Sequence, residues 1–309
     1  MNEKIINNLR LLAEKDKANN FKYRAYINAI KIIQQIGEEI NDVNVLNDIP
    51  GIGKGIKEKI DLILSDKFIP PEVEIDFDDK NVISIFTKIY GVGEKKAKEL
   101  VENHGIRYLL QLKTRQDELL NEKQKIGLKY YYPLLERIPY NEMLLHQKII
   151  NGIWKNDYHC GGFNFKFEVV GSYRRRETSS GDIDILITFD ESLNLMSRLV
   201  YTLRRNNYII ETLAEGSKKF MGICRLPNQT PRRIDIIWCS REEYPFALFY
   251  FTGSERYNRY VRDWASKKGY RLNEKKIVSL DGKELPEFET ERDITNFLGL
   301  QYLEPWDRK

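Results

Sequence analysis

Apolar side chains recur at helical spacing along residues 1–65 of the chain. A repeat of three or four residues places them on one face of a helix, which can then pack against a neighbour. The pattern predicts helices over residues 1–65, a linker around Pro70-Pro71 and residues 72–80, and more helices from 82 to about 135. The positions that define the first helices are Ile5, Ile6, Leu9, Leu12 and Ala13, followed by Tyr26, Ile27, Ile30, Ile33 and Ile36.

The periodicity changes to that of strands in the second half of the chain. A helix predicted from Glu142 to Trp154 precedes three strand-like runs, at 163–170, 183–189 and 233–238. A further helix over 193–205 separates the second run from the third, and the final segment mixes both patterns. A helical N-terminal part and a mixed C-terminal part predict an α+β chain with separate domains.

The composition is that of a globular protein, with 41% hydrophobic residues, 31% charged residues and a net charge of +4. Residues 1–78 carry 11 Lys and Arg against 14 Asp and Glu, whereas residues 79–140 carry 12 against 8. Three cysteines and three histidines argue against a disulfide framework and a zinc site. The N-terminus lacks the apolar core of a signal peptide and no apolar run approaches membrane-spanning length, so we expect a reduced, soluble, intracellular protein.

The stretch from Gly171 to Asp184 carries the clearest chemical signal. It opens with a glycine-serine turn and ends in Asp182 and Asp184, which a strand would direct to the same face. A third acid, Asp235, lies in another strand-like run. Three carboxylates on adjacent strands suit Mg²⁺, and the turn can offer backbone N–H groups to a triphosphate. We therefore expect a nucleotidyl-transfer site, although a lone Asp-x-Asp would more often be a solvated edge or a salt bridge.

One internal repeat is present. Leu46 to Ile60 resembles Phe86 to Leu100, and both read as a helix, a Gly-apolar-Gly hairpin and a lysine-rich helix. The glycines permit a tight turn and let a phosphate approach the N–H groups that open the second helix. Two copies favour paired helix-hairpin-helix clamps on DNA over ordinary helix turns.

Together these motifs resemble those of the family X DNA polymerases, specifically the DNA polymerase beta type. The resemblance runs from Asn20 to Asp307, with the motifs in the family's order and approximate spacing. Besides both hairpins, the motifs are Ile126-Gly-Leu-Lys-Tyr130, Gly171-Ser-Tyr-Arg-Arg175, Gly181-Asp-Ile-Asp184, Phe220-Met-Gly-Ile-Cys224, Arg232-Arg-Ile-Asp-Ile236 and Tyr250-Phe-Thr-Gly-Ser254.

The resemblance implies four segments. A helical lyase-like domain with the first hairpin would span 1–78, and a fingers-like, DNA-binding helical subdomain with the second hairpin would span 79–140. A mixed α/β nucleotidyltransferase palm would follow at 141–241, and a small thumb-like subdomain that binds the nascent base pair at 242–309. No BRCT-like segment precedes the lyase-like region, so the end-joining members match less well.

For the palm, the resemblance implies two-metal transfer from a dNTP to a primer 3′-hydroxyl, with two Mg²⁺ ions that Mn²⁺ can replace. The metal ligands and catalytic acids would be Asp182, Asp184 and Asp235. The implied nucleotide contacts are Ser172, Arg175, Gly181, Tyr250, Phe251, Gly253, Glu255 and Asn258. The implied DNA contacts are Lys22, Tyr26, Gly51, Gly53, Lys54, Gly91, Gly93, Lys95, Lys219, Arg233 and Arg262, with Na⁺ or K⁺ at the hairpin loops.

Lys59 matches the family's Schiff-base nucleophile, which implies a 5′-deoxyribose-phosphate lyase activity. On composition alone, this residue would be a solvated helix lysine. The chain departs from the family pattern at four positions, with Phe21 in place of a histidine, Gly55 in place of a lysine, and Tyr140 and Ile237 in place of arginines. Arg137 is the candidate to replace the cation missing at Tyr140.

The expected function is therefore template-directed gap filling in base excision repair, with gapped or nicked duplex DNA and dNTPs as partners of a monomer. The short loop from Leu226 to Pro231 favours templated synthesis. Two alternatives stay open: a template-independent nucleotidyltransferase, and a non-catalytic protein that binds DNA gaps. Extension of an unpaired primer would favour the first, and loss of a carboxylate would favour the second.

Overall fold

The computed structural model describes residues 2–65, 79–156, 166–189 and 195–309. The chain forms two compact units, residues 1–132 and 133–309. Most of the predicted linker, including Pro70-Pro71, and the start of the first predicted strand lie outside the described residues. The predicted α+β class is confirmed, while the four domain boundaries stay a prediction.

The first unit is helical over its described residues, as the periodicity predicts. Its elements are α1 (Asn2–Lys15), α2 (Asn20–Gln35), a 3-10 turn (Val43–Leu46), α3 (Lys54–Leu64), α4 (Asp79–Phe86), α5 (Glu94–Glu102), α6 (Leu109–Thr114), α7 (Gln116–Leu119), α8 (Glu122–Lys129) and the beginning of α9 (Tyr131–Leu135). α4 thus includes the last two residues of the predicted linker.

Two apolar clusters hold this unit. The first joins α1, α2 and α3 around Leu9, Ile33 and Ile60, which are fully buried. The second joins the helices of residues 82–131 around Phe86 and Leu100. Each cluster contains apolar residues that recur at helical spacing and so share one face of their helix. Burial of these apolar faces stabilises the helices.

The second unit is mixed. Its elements are β1 (Ile138–Pro139), α10 (Tyr140–Asn156), β2 (Lys166–Val169), α11 (Gly171–Arg174), β3 (Ser179–Ser180), β4 (Ile183–Thr188), α12 (Leu195–Arg205), β5 (Ile209–Glu215), β6 (Lys219–Cys224), β7 (Arg232–Cys239), α13 (Tyr244–Thr252), α14 (Glu255–Lys267), β8 (Tyr270–Leu272), β9 (Ile277–Ser279), α15 (Glu291–Phe297) and a 3-10 turn (Pro305–Asp307).

A five-stranded sheet is the centre of this unit, in the order β2-β4-β7-β6-β5. The three predicted strands are found as β2, β4 and β7, and β5 and β6 are added to them. Two register shifts interrupt the β5–β6 pair. A strand with such shifts loses strict alternation of apolar and polar residues, so its sequence carries a weak strand signal.

The two middle strands position the predicted site. β4 and β7 run parallel, and their register sets Asp184 beside Asp235. Asp182 does not lie within the strand as expected, because β4 begins at Ile183 and the preceding residues form a bend from β3. The apolar residues of β4 and β7 are buried against α10 and α12, which makes the strand positions rigid.

Candidate active site

Three aspartates of the second unit meet at one edge of the sheet. The parallel pairing of β4 with β7 aligns Asp184 with Asp235, and Asp182 occupies the bend just before β4. Each of the other two carboxylates raises the pKa of Asp184 electrostatically. The side chains that the Asp-x-Asp pattern singles out are therefore brought together with the third acid.

Two cations lie among these carboxylates. The Arg233 guanidinium donates to both oxygens of Asp235, at 3.2 and 3.0 Å, and its Nη2 lies 3.4 Å from Asp182 Oδ2. The Lys219 ammonium lies 3.4 Å from Asp235 Oδ2. The pKa of Arg233 is raised, because its hydrogen bonds and ion pairs with the aspartates outweigh burial. Arg233 and Lys219, predicted as DNA contacts, thus hold the third aspartate.

The carboxylates carry more negative charge than these cations offset. Burial first, and then Asp182 and Asp235, raise the pKa of Asp184 from 3.8 to about 7. The pKa of Asp182 is raised as well, chiefly by burial, although Arg233 opposes the shift. A buried group that titrates near neutral pH beside like charges is typical of a functional site.

A glycine-serine turn packs directly on this cluster. Gly171 has φ +65°, and a side chain there would place its Cβ 2.7 Å from Asp184 Oδ2. Only glycine accommodates both this conformation and the close approach. The Ser172 hydroxyl donates to the Ser180 hydroxyl at 2.9 Å, which links the turn to β3. The turn is therefore packed against the carboxylates and hydrogen-bonded to the strand that precedes them.

Arg175 ties this turn to the segment after α13. Its Nη1 donates to the Thr252 carbonyl at 2.7 Å and would lie 3.0 Å from a Cβ at Gly253. Asn258, on α14, donates from Nδ2 to the Tyr250 carbonyl at 2.7 Å, and its buried Oδ1 has no hydrogen-bond partner among the described residues. A buried amide oxygen without a partner is rare, and a ligand could satisfy it.

These elements enclose a cavity of about 490 Å³. Its lining contains all eight predicted nucleotide contacts, two of the three aspartates and Arg262, but not Asp235, which Arg233 covers. Arg137 and Glu177 also line it. The full lining is Arg137, Gly171, Ser172, Arg175, Glu177, Gly181, Asp182, Asp184, Tyr250, Phe251, Gly253, Glu255, Asn258 and Arg262.

No group of three or more His, Cys, Asp or Glu within the described part of the chain is arranged as a metal site. The donor chemistry nevertheless fits Mg²⁺, since three hard carboxylate ligands lie together, and Asp182 and Asp235 add to the effect of burial in raising the pKa of Asp184. Arg233 provides positive charge between Asp182 and Asp235. A divalent ion bound by both would require Arg233 to withdraw.

The two residues that stand in place of family arginines have packing roles. The Tyr140 ring stacks on Tyr173 with the centroids 5.0 Å apart. Ile237 packs beside Phe251 in a cluster with Val170 and Leu186. Neither side chain offers a charge to the cavity.

A second group of arginines supports the cavity, and its acidic partner was not predicted from the sequence. Glu291 is buried and accepts two hydrogen bonds from Arg174, at 3.0 and 2.7 Å, and one from Arg308 at 2.7 Å. Arg174 also donates to the Thr252 hydroxyl. The residue before Arg175 is thereby anchored to α15 and to the end of α13. Residues far apart in sequence make this contact, so no local pattern predicts it.

In the first unit, both hairpins have the predicted form. Gly51 and Gly91 have φ +94° and +81°, and Gly53 and Gly93 are the N-cap residues of α3 and α5. The Gly51 carbonyl accepts from Asn28, and the Gly91 carbonyl from Gln124. The hairpin lysines predicted to contact DNA, Lys54 and Lys95, are exposed.

The predicted lyase residues lie on α2 and α3 of this unit. Lys59 Nζ lies 3.5 Å from the Gly55 carbonyl of its own helix. Lys22 pairs with Asp16 at 3.6 Å, and burial followed by Asp16 raises the pKa of Tyr26, whose side chain packs in the core. Each lysine therefore has a nearby partner of its own, and Phe21 is 84% exposed.

Sequence models of four families match the chain in succession. They describe a helix-hairpin-helix domain (residues 1–67), the fingers domain of DNA polymerase lambda (84–135), the DNA polymerase beta palm (137–241) and the DNA polymerase beta thumb (247–309). The palm model thus covers all three aspartates, and the thumb model begins within α13.

Curated relatives match along nearly the whole chain. DNA polymerase lambda of Arabidopsis thaliana is 29% identical over 99% of this chain and 60% of the relative, and that of Rattus norvegicus is 30% identical over 98% and 56%. DNA nucleotidylexotransferase of Xenopus laevis is 25% identical over 92% of this chain and 63% of the relative. The chain therefore spans less than two thirds of the length of these relatives. Its described helices include none long and apolar enough to cross a membrane.

Proposed function

Since the chain belongs to the family X DNA polymerases, we propose that it is a template-directed, gap-filling DNA polymerase of base excision repair. The observation that carries this proposal is the register of β4 and β7, which aligns Asp184 with Asp235. Asp182 and Asp184 line a cavity together with the glycine-serine turn. The partners are gapped or nicked duplex DNA and dNTPs, and the active form is a monomer.

The proposed roles of the side chains are those that the family resemblance implies, and the position of each residue at the site supports them. Asp235 lies nearest the primer 3′-hydroxyl and accepts its proton, and Arg233 and Lys219 pair with its carboxylate in the structure without DNA. Ser172 and the N–H groups of its turn bind phosphate oxygens. Tyr250 and Gly253 border the sugar, and Asn258 reads the edge of the incoming base.

Two Mg²⁺ ions, which Mn²⁺ can replace, would be held by Asp182, Asp184 and Asp235, and would lower the pKa of the 3′-hydroxyl and offset charge on the transferring phosphoryl group. For these residues to take up a cation, the Arg233 guanidinium must leave Asp182. A primer phosphate is a suitable new partner for it, since guanidinium binds phosphate oxygens well. Na⁺ or K⁺ would occupy the hairpin loops of the first unit.

The test is primer extension on a one-nucleotide gap, with and without a 5′-phosphate, by the unmutated chain and by Asp235→Ala. We expect the variant to lose gap filling and to keep its affinity for gapped DNA, measured by fluorescence anisotropy. Asp281→Ala, which removes an exposed carboxylate after β9, is the matched control and should behave like the unmutated chain. Synthesis retained by Asp235→Ala would refute the assignment, and absence of extension by the unmutated chain would refute the function.

A template-independent nucleotidyltransferase is the second candidate, because one relative is named DNA nucleotidylexotransferase. The connection between β6 and β7 covers only residues 225–231, and both hairpins have the form expected of duplex-DNA clamps. These features favour templated synthesis. Extension of a single-stranded primer at a rate similar to gap filling would reverse that preference. The three retained carboxylates argue against a non-catalytic scaffold.

The 5′-deoxyribose-phosphate lyase activity is a separate part of the proposal. Lys59 would attack the C1′ aldehyde of an abasic sugar and form a Schiff base with loss of water. Loss of the C2′ proton would then break the C3′–O bond and release the DNA 5′-phosphate, and hydrolysis of the Schiff base would free the sugar and the lysine. Borohydride would trap the Schiff base on a 5′-deoxyribose-phosphate substrate. We expect a covalent adduct with the unmutated chain and with Lys57→Ala, and none with Lys59→Ala. No adduct with the unmutated chain would eliminate the lyase while leaving the polymerase untouched.

A further inference from the structure

A four-residue helix, α11, presents two of the predicted nucleotide contacts to the cavity. Ser172 is its second residue and Arg175 is its C-cap, and both line the cavity. So short a helix has few hydrogen bonds of its own, and its orientation depends on contacts with other elements. The contacts at its C-terminal end therefore help to determine where Ser172 and Arg175 lie.

The end of α11 has the hydrogen bonds of a Schellman motif. The Glu177 N–H donates to the Ser172 carbonyl at 3.1 Å. The Arg176 N–H donates to the Tyr173 carbonyl at 2.9 Å. Arg176 accordingly has φ +59°, in the left-handed region where such a motif usually has glycine. A side chain at this position disfavours the turn unless it makes a contact that offsets the strain.

The Arg176 side chain makes such a contact with Trp306. Its guanidinium carbon lies 3.8 Å from the centroid of the indole ring. Trp306 belongs to the 3-10 turn Pro305–Asp307, and Arg308, just after this turn, is buried and bonded to Glu291. The attraction of a cation to an exposed tryptophan is similar in size to the cost of a left-handed residue other than glycine. The pair thus adds little net stability, and its main effect is on the position of the turn.

Two links join α11 to α15 and to the 3-10 turn that follows it, one on each side of Arg175 in the sequence. Arg174 pairs with Glu291 at 2.7 Å, and Arg176 stacks on Trp306. The first link alone leaves the end of the helix free to turn about it, whereas the second link fixes that end. Among the described residues that line the cavity, neither Arg176 nor Trp306 is present.

We propose that the stack of Arg176 on Trp306 orients α11 for nucleotide binding, which makes both of them positioning residues. They act through Ser172 and Arg175, which touch the nucleotide in the proposed function, and the proposal rests on that function. A small displacement of a group that binds the substrate weakens its contribution even where the fold is intact. Loss of the stack should therefore weaken nucleotide binding without unfolding the second unit.

Arg176→Gly separates this positioning role from a structural one. Glycine removes the guanidinium and also relieves the strain at φ +59°, so the midpoint of urea unfolding should change little. Calorimetry with a non-hydrolysable dNTP analogue, on protein bound to a one-nucleotide gap in Mg²⁺, measures nucleotide affinity. We expect this affinity to fall about two- to fivefold, the equivalent of one exposed cation–π contact, and the KM for the matching dNTP to rise with it. The affinity for gapped DNA should stay the same.

Variants of the tryptophan test the same contact from its other side. Trp306→Ala should weaken analogue binding by a similar factor, and Trp306→Phe, which keeps an aromatic face, should recover most of the loss. The double variant Arg176→Gly/Trp306→Ala should bind no more weakly than either single variant, because all three lack the same contact. Lys268→Ala, which removes a cation from the Trp264 ring at 5.5 Å, is the matched control and should keep full affinity.

The outcomes distinguish this inference from the proposed function. Unchanged affinity in both single variants, losses that add in the double variant, or a fall in the urea midpoint that accompanies every loss would overturn the inference while gap filling by the unmutated chain stands. Weaker analogue binding by the variants of a chain that extends no primer would refute the polymerase and spare the inference. An unmutated chain that binds no dNTP analogue would refute both.

Discussion

The two candidate reaction centres differ in how their reactive groups are surrounded. In the second unit, the aspartates are half-buried or buried and lie beside one another, and burial together with Asp182 and Asp235 raises the pKa of Asp184. In the first unit, Lys59 lies on a partly exposed helix, and its described partner is the Gly55 carbonyl of the same helix. One centre is built into a core, and the other lies on a surface.

Buried carboxylates and an exposed lysine make different demands on the surrounding fold. Burying like charges costs stability, so the fold must supply counter-charges, close-packed glycine and fixed strands around them. Each of these supports is visible around Asp184. A surface lysine requires no such support, so the fold around Lys59 constrains its role much less.

The largest effect should come from the buried ion cluster that supports the cavity. Glu291→Ala leaves Arg174 and the fully buried Arg308 without their carboxylate. Removing one partner of a buried ion pair costs about 3–5 kcal/mol. All four tryptophans lie in residues 133–309, so tryptophan fluorescence during urea unfolding reports on this unit. Lys283→Ala, which breaks an exposed pair with Asp281, should cost far less than Glu291→Ala, and similar losses in both variants would contradict the prediction.

The next effect has the opposite sign. The pKa of Asp184 is raised in the folded state from 3.8 to about 7, so the folded state binds the proton more tightly than the unfolded state. The resulting stability is present below pH 4 and is lost as pH rises towards 7. Asp184→Asn cannot ionise, and its unfolding free energy should exceed that of the unmutated chain by on the order of 2–4 kcal/mol near pH 8. The same variant should lose nucleotide incorporation.

Urea unfolding in EDTA, followed by tryptophan fluorescence at several pH values, measures this difference. The gain should vanish as pH falls towards 4, because both side chains are then neutral. A gain that does not depend on pH would indicate a packing effect and would contradict the electrostatic explanation. Asp281→Asn, at an exposed carboxylate, should show no gain near pH 8.

The sequence predicted the elements whose periodicity comes from a single buried face. The helices of residues 2–65 are of this kind, and β4 and β7 were predicted instead from their nearly continuous apolar runs. It missed β5 and β6, where register shifts disturb the alternation. The predicted run of 183–189 matches β4, but the expectation that a strand directs Asp182 and Asp184 to one face treated Asp182 as a strand residue, whereas it lies in the bend before β4.

For the site, the sequence could predict the residue types but not their electrostatic environment. The spacing of Asp182 and Asp184 pointed to a shared site, and the register of β4 with β7 brings Asp235 beside them. The contact of Arg233 with Asp182, and the anchoring of Arg174 by Glu291, depend on side-chain positions across separate elements. Such contacts are set by tertiary packing, so a local pattern cannot reveal them.

A smaller effect is expected at the hairpins of the first unit. Gly51 has φ +94°, and a Cβ there would approach Asn28 and Ile32 to within 3 Å, whereas Gly53 has ordinary φ and open space around it. Gly51→Ala should therefore cost about 1–2 kcal/mol and Gly53→Ala much less. Circular dichroism during thermal unfolding compares the two variants with the unmutated chain, and equal losses would show that the turn conformation is not the constraint.

The smallest effect is expected at the surface lysine, where the contrast between the two centres is sharpest. Lys59→Ala removes a partly exposed ammonium whose described contact is 3.5 Å long, so the unfolding free energy of the first unit should change by less than about 0.5 kcal/mol. Lys57→Ala, which removes a 3.0 Å hydrogen bond to the Asn47 carbonyl, should cost slightly more, about 0.5–1 kcal/mol. Denaturant unfolding followed by tyrosine fluorescence compares the two. If Lys59→Ala lowers the unfolding free energy by more than about 1 kcal/mol, the fold holds this ammonium as it holds the aspartates. The two candidate reaction centres would then not differ in how the fold supports them.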